Sequence, residues 1–438
     1  MTIATAARSV LLALLTLVSS ATCVFADVLV RWDQTQAPSK QVLGITTIVV
    51  PGANADAVRH AIAEGYQVYV EVDGANVSGF TPAGTPVHGI VVTGNASDAD
   101  IAGLRTRLKL PADRVLVAQS GAKWPHIRTN WVTKNNDVLQ VTGRSAQPWI
   151  ENNAALLRIL QAERPGRTPL LTYRWQPITR SEIDEGPSLE HYLVAIAEAG
   201  SFGGDLVLPL HERFQQRLLA GEAAARSEWI EIRRYLEFYS KDFPTRYRPV
   251  VNVGVITSHP MVWFETMNLL ARHNVPFEVL TPVQLATRDL KALRLLIVLD
   301  QPEGAALDAL ERFARGGGKV HKVTAGVSDP NSFAFEIRKL LGADDRVVDI
   351  WNGITVLIAP YQSPDTDTVL VTVLNYAYQP LPVQLRVRGT FGAVHYESPE
   401  EPPGIVPHQH RHGYTEFVLP ALRVGGRVFL RQSARVDR

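Results

Sequence analysis

Cysteine is almost missing from this chain, with Cys23 the only one among 438 residues. A chain that begins after it has no thiol. That excludes disulfides, thiolate metal sites and cysteine nucleophiles together. An excess of charge is missing too: 44 Lys and Arg stand against 43 Asp and Glu, a net charge of +1. Phosphate binding needs a concentrated basic surface. Acids and bases interleave here, so no nucleic acid is expected and an uncharged ligand fits better. Beyond the N-terminus there is no apolar run near the roughly 20 residues that a membrane span requires. What is present is a hydrophobic fraction of 46% and enough length for two or three folded domains.

The N-terminus has the pattern of an export signal. Arg8 is followed by an apolar stretch over 9–18, then by small residues and Val24-Phe25-Ala26, which fits cleavage before Asp27. A signal peptide over 1–26 and a secreted or periplasmic mature chain are expected, with no stable membrane span after cleavage. An uncleaved anchor and a lipid anchor on Cys23 are the competing readings. Ser20-Ala21-Thr22 is a poor approach to a lipidated cysteine.

From 27 to 243, eight short apolar runs alternate with helical stretches. The runs cover 28–30, 46–50, 67–72, 89–92, 114–118, 138–141, 170–173 and 205–208. Each is continuously apolar and bounded by Gly, Pro, Asn or Asp, as parallel strands covered on both faces are. Helices are expected over 55–64, 98–108, 148–163 and 188–199, with a closing helix over 213–239. Eight βα units predict an α/β fold, a (β/α)8 TIM barrel. A second alternation over 244–345 predicts a small doubly wound, flavodoxin-like domain, with strands at 251–256, 277–280, 295–299 and 319–323. From 346 to 438 the helical period disappears. Strands at 355–359, 368–375, 383–388, 393–396, 415–418 and 426–430 predict an antiparallel β-sandwich.

This order of parts resembles family 42 glycoside hydrolases and related exported hydrolases. The residues that carry the resemblance are the run Leu295-Leu296-Ile297-Val298-Leu299-Asp300, the helix stop Phe313-Ala314-Arg315-Gly316-Gly317-Gly318, and Glu397-Ser398-Pro399-Glu400 near the end. The resemblance implies a class I glutamine amidotransferase-like middle domain used for trimerisation, hence a homo-oligomer, and a carbohydrate substrate. The family places an Asn-Glu pair after barrel strand four and a Glu after strand seven. Here those places read Val92-Thr93-Gly94-Asn95 and Tyr173-Arg174-Trp175-Gln176, without a carboxylate. The family's acid and nucleophile therefore do not carry over.

Active sites of such barrels lie at the C-terminal ends of the strands. The carboxylates there are Asp33, Glu71, Asp73, Glu151 and Glu212, and glycoside hydrolysis needs two of them flanking the scissile bond. Asp73 and Glu212 rank first, because Glu151 opens a helix, where the dipole favours an acid in any case. The expected sugar-binding residues are Trp32, Asn95, Gln119, Arg144, Trp149, Tyr173, Trp175 and His211, since aromatic faces stack on pyranoses while amides and charged groups take hydroxyls.

Other signals fail. Gly316-Gly317-Gly318-Lys319 follows a helix instead of opening one, so it is no phosphate loop. Ser258-His259 lacks a nucleophile elbow and reads as helix capping. The alternating His408, His410 and His412 read as a solvated turn, with neither metal nor cofactor expected. Two functions follow. One is an exported glycoside hydrolase acting on an oligo- or polysaccharide. The alternative is a degenerate barrel that binds carbohydrate or scaffolds without cleaving.

Overall fold

The computed structural model describes residues 29–82, 86–118, 126–127, 132–135, 138–140, 148–149, 152–175, 180–240, 247–323, 330–353, 355–377 and 379–432. Seven strands form one parallel sheet: β1 (Leu29–Arg31), β2 (Thr47–Pro51), β3 (Gln67–Asp73), β4 (Gly89–Thr93), β5 (Val115–Val117), β6 (Leu170–Thr172) and β7 (Asp205–Pro209). Their order is β6-β7-β1-β2-β3-β4-β5, and a parallel bridge from Ala118 to Leu170 joins the two edges. The sheet is thus a nearly closed barrel.

Side chains alternate across it as the two-residue period of a strand requires. Leu29, Val49, Tyr69, Val91, Leu170 and Val207 share one small cluster, the filling of the barrel. Their neighbours Val30, Ile48, Val50, Val70 and Val92 pack outward with α1 (Ala55–Ala63) and α2 (Asp98–Leu108). Burial on both faces is why the runs read as continuously apolar.

One expected barrel strand lies elsewhere. Val138–Gln140 pairs antiparallel with Val132–Asn135, which also pairs with Pro148–Trp149. Only Asn136 and Asp137 separate the first two strands, a hairpin-length connection too short for a parallel crossover. The barrel therefore has seven described strands instead of eight. The helix expected over 148–163 is α3 (Ala154–Glu163), and α4 (Leu189–Ser201) follows β6. The single closing helix is instead two, α5 (Glu212–Leu219) and α6 (Ala223–Ser240). The break falls at Gly221, whose φ of 74° is a left-handed conformation that glycine adopts without strain.

A second parallel sheet follows, built from β8 (Val253–Ile256), β9 (Phe277–Leu280), β10 (Leu295–Val298) and β11 (Lys319–Lys322) in the order β9-β8-β10-β11. On one face Leu285, from α8 (Pro282–Thr287), packs with Ala309 and Leu310 of α9 (Gly304–Arg315). On the other, Met267 of α7 (Phe264–Arg272) and Ile337 of α10 (Pro330–Leu341) join the large core that also holds the barrel helices. The C-terminal part is two antiparallel sheets, of six and four strands, the larger edged by Arg248–Pro249 from ahead of the second parallel sheet. Val371, Val394 and Leu430 of the larger face Leu385, Val387 and Phe417 of the smaller across one core. The expected turn around His408 is instead a strand, His408–Arg411, paired with Tyr414–Leu422. No group of metal-binding side chains occurs among the described residues.

A fully buried carboxylate fastens these parts. Glu198 of α4 accepts from the backbone N–H of Asn153 at 2.9 Å and its Nδ2 at 2.6 Å. The Tyr173 hydroxyl donates to it at 2.9 Å, and so does the hydroxyl of Tyr376 from the antiparallel part. Burial pushes the Glu198 carboxyl above its ordinary value, while those four bonds pull the other way. Glu198→Ala would leave several buried donors unpaired, each costing about 1–3 kcal/mol. The expected result is a loss of about 3 kcal/mol or more in urea unfolding at neutral pH; a loss under about 1 kcal/mol would show that the network is not a fastening.

Candidate active site

Strand parity decides which side chains face the barrel mouth. Arg31 lies two residues beyond Leu29, and Glu71 two beyond Tyr69, so both continue the inward row toward the C-terminal end. There they meet. Arg31 Nε lies 2.7 Å from Glu71 Oε2, and Arg31 Nη2 lies 3.1 Å from Asp33 Oδ1. One guanidinium thus holds two carboxylates in the mouth. Burial raises the Glu71 carboxyl above its ordinary value; Arg31 lowers it, and the charges of Asp33 and Asp73 raise it again. A carboxyl that stays protonated to higher pH suits proton donation.

Asp33 is positioned from a second direction. Gln215 of α5 is fully buried, and its Oε1 accepts from the backbone N–H of Asp33 at 2.9 Å. Its Nε2 donates to the Leu210 carbonyl at 2.7 Å and reaches Asp33 Oδ2 at 3.4 Å. The helix after the last barrel strand therefore locks the loop after the first.

The other expected carboxylates sit differently. Asp73 ends β3, and its side chain accepts from the Ala75 N–H at 2.9 Å, capping a single turn beyond the strand. It is exposed at the rim, close enough to Glu71 to shift it. Glu212 opens α5 and accepts from Gln216 at 3.0 Å on the exposed side of the helix, one turn before Gln215. Neither touches the Arg31 group. Glu151, Gln119 and Arg144 lie outside the described residues, as do the side chains of Trp149 and Trp175.

Two expected sugar contacts belong to the core instead. Trp32 is 1% exposed, packed outward among the helices, with its indole N–H on the Gln36 carbonyl at 2.8 Å. Residue 32 alternates with Arg31 and Asp33, so it points to the opposite face. Tyr173 is 3% exposed and committed to Glu198. Asn95 remains exposed at the end of β4, beside a pocket of about 300 Å³ that Ser97, Ala118 and Arg164 also line. His211 caps α5, and burial lowers its imidazole below the ordinary value.

A second polar cluster lies where the strand order of the other parallel sheet reverses, between β8 and β10. Asp300 accepts from the Thr257 hydroxyl at 2.7 Å, from the backbone N–H groups of Ser258 and His259 at 2.9 and 3.1 Å, and from the Trp263 indole at 2.9 Å. Partial burial raises this carboxyl, but the four bonds win and hold it at about 2. Ser258 and His259 therefore brace Asp300 instead of capping α7, whose N-cap is Trp263. The carboxylate is saturated by its own protein and serves as a staple.

The sequence names Asp33 and Glu71, which the structure brings together on Arg31; it does not single out Arg31 or Gln215. The parity that links Arg31 to Leu29 was available in the sequence. Nothing in the helix over 212–219 singled out Gln215. Gln215→Leu removes the bonds to Asp33 and Leu210 while keeping an apolar body. The expected outcome is about 2 kcal/mol of lost stability in chemical unfolding, and a wild-type midpoint would contradict the positioning role.

No family model and no curated protein matches the sequence. Among solved structures, α-L-fucosidase isoenzyme 2 from Paenibacillus thiaminolyticus superposes with a TM-score of 0.57 at 10% identity, over 93% of this chain and 99% of that one. A β-galactosidase from Rahnella sp. R3 is matched more loosely, at a TM-score of 0.45 and 11% identity, over 87% of this chain and 66% of that one. The chain thus shares the fold of the fucosidase from its barrel to its C-terminal sheets, at an identity that speaks for architecture alone.

Proposed function

We propose that this chain is an exported glycoside hydrolase, acting on an oligo- or polysaccharide at the C-terminal mouth of the barrel. The observation that carries the reading is the inward pair Glu71 and Asp33 on one Arg31 guanidinium, with the Glu71 carboxyl raised by burial. In this reading Glu71 donates a proton to the leaving glycosidic oxygen. Asp33, paired with Arg31 and held by Gln215, supplies the second carboxylate that glycoside cleavage requires. Likeness in fold to a fucosidase supports a carbohydrate ligand without naming the sugar. Export rests on the N-terminal signal pattern. The reading also takes 244–345 as a flavodoxin-like, amidotransferase-like unit through which copies associate. The parallel strand order β9-β8-β10-β11 supports the first half of that statement. No helix among the described residues is long and apolar enough to cross a membrane.

A second reading is favoured by the same ion pairs. Arg31 occupies both carboxylates, which is how a barrel that binds sugar without cleaving it would neutralise its mouth. Release of reducing sugar from a broad panel of oligo- and polysaccharides, measured on the chain from Asp27 onward, separates the two. Turnover supports the hydrolase, and binding without release supports the degenerate barrel.

Where turnover is found, Glu71→Gln should lower it by about 10² or more. The pH profile gives a sharper expectation. Activity needs Glu71 protonated, so its alkaline limb follows the Glu71 pKa. Arg31 lowers that pKa, and Arg31→Met should therefore move the limb upward. A limb that stays in place would remove Glu71 from the role of acid.

A further inference from the structure

The second parallel sheet carries a cleft remote from the barrel mouth. Its volume is about 620 Å³, and it opens between α8, α9 and the turns that enter β10 and β11. That is the size of a pocket for a small molecule, roughly 300–1,000 Å³. Its floor is apolar, made by Leu285, Leu290, Leu293 and Phe313. Its rim is cationic: Arg288, Lys291, Arg294, Arg312 and Lys319 stand against only Asp289 and Asp345. In a chain of net charge +1 this is a local concentration of one sign.

Most of these cations have structural duties. The Lys319 ammonium donates to the Leu340 and Leu341 carbonyls at 2.8 and 3.2 Å, closing the end of α10. Arg294 lies 3.8 Å from Asp345, and Arg288 pairs with Glu278. Two are left over. The Arg312 guanidinium makes no hydrogen bond or ion pair among the described residues, and the Lys291 ammonium has only Asp289 at 3.8 Å, with a side chain that is 91% exposed. The dipole of α9 favours a cation at Arg312, in its last turn. It does not account for Lys291, which lies outside that helix, nor for an apolar floor left open beneath both.

We propose that this cleft binds a small amphipathic anion, with an apolar body on Leu290 and Phe313 and a carboxylate or similar head between Lys291 and Arg312. The apolar floor supplies burial in proportion to area, and Arg312 together with the loosely paired Lys291 supplies charge-assisted hydrogen bonds to the head. Neither part alone describes the cleft: a bare phosphate leaves the floor wet, and a neutral alkane leaves the rim unanswered. The site is independent of the hydrolase reading, because none of its residues lies in the barrel.

The test is fluorescence titration of the chain from Asp27 onward with anilinonaphthalene sulfonate, followed by displacement with decanoate, decanol and inorganic phosphate. One saturable site is expected, with decanoate displacing the probe at least about tenfold more strongly than decanol. Phosphate should displace little. Lys291→Glu and Arg312→Glu should each weaken decanoate about tenfold or more; the unfolding midpoint should stay in place for the exposed Lys291 and fall slightly for Arg312→Glu, which gives up its contact with the α9 dipole. Absence of saturable binding would overturn the proposal. Equal displacement by decanol, equal displacement by phosphate, or indifference to both charge reversals would overturn it too.

Discussion

A carboxylate with no access to water must find its hydrogen bonds inside the protein, and Glu198 finds them in three places that the chain brings together only when folded. Asn153 stands at the N-cap of one barrel helix, Tyr173 follows a barrel strand, and Tyr376 follows a strand of the antiparallel sheets. The cost of burying this charge unpaired is several kcal/mol, so each of the three is held to its place relative to α4. The junction continues through Ser201, whose carbonyl accepts from the hydroxyls of Tyr361 and Thr372 at 2.8 and 3.0 Å. Barrel and C-terminal sheets are thus joined by polar contacts of fixed geometry as well as by apolar area, and the strand ends around the mouth inherit that rigidity.

The mouth depends on the rigidity because its own groups are mutually repulsive. Glu71, Asp33 and Asp73 are three acids in a small space, and among the described residues only Arg31 pairs with them as a counter-charge. The arrangement divides their work. Glu71 is the more deeply placed and is raised by burial. Asp33 is tied to Arg31 and to the amide of Gln215. Asp73 is spent on capping a turn at the rim. Different environments for neighbouring carboxyls are the condition for one to give a proton while another stays charged.

How much of this the sequence showed follows from what each signal measures. Continuous apolar runs report burial on two faces, and seven of the eight runs expected in the barrel are strands of its sheet. From the run over 138–141, the described strand Val138–Gln140 pairs antiparallel instead, because only Asn136 and Asp137 separate it from Val132–Asn135 and apolarity does not choose the partner. The break at Gly221 was invisible to a helical period that continues on both sides of it. Trp32 and Asp33 are neighbouring site candidates in the sequence, yet adjacent positions in an extended chain point to opposite faces; one is core and the other faces the mouth. Glu198 and Gln215 were missed for a different reason. A buried polar side chain within a helix has no local signature, since its partners lie tens to hundreds of residues away.

The central claim is that sugar meets Glu71 and Asp33 in the barrel mouth. A crystal structure of the Glu71→Gln chain, grown with an oligosaccharide that the wild-type chain cleaves or binds, tests it most directly. A glycosidic oxygen is expected within hydrogen-bonding distance of the residue-71 amide, with Asp33 on the other side of the same linkage. A sugar seated around Glu212, or away from the barrel mouth altogether, would contradict it.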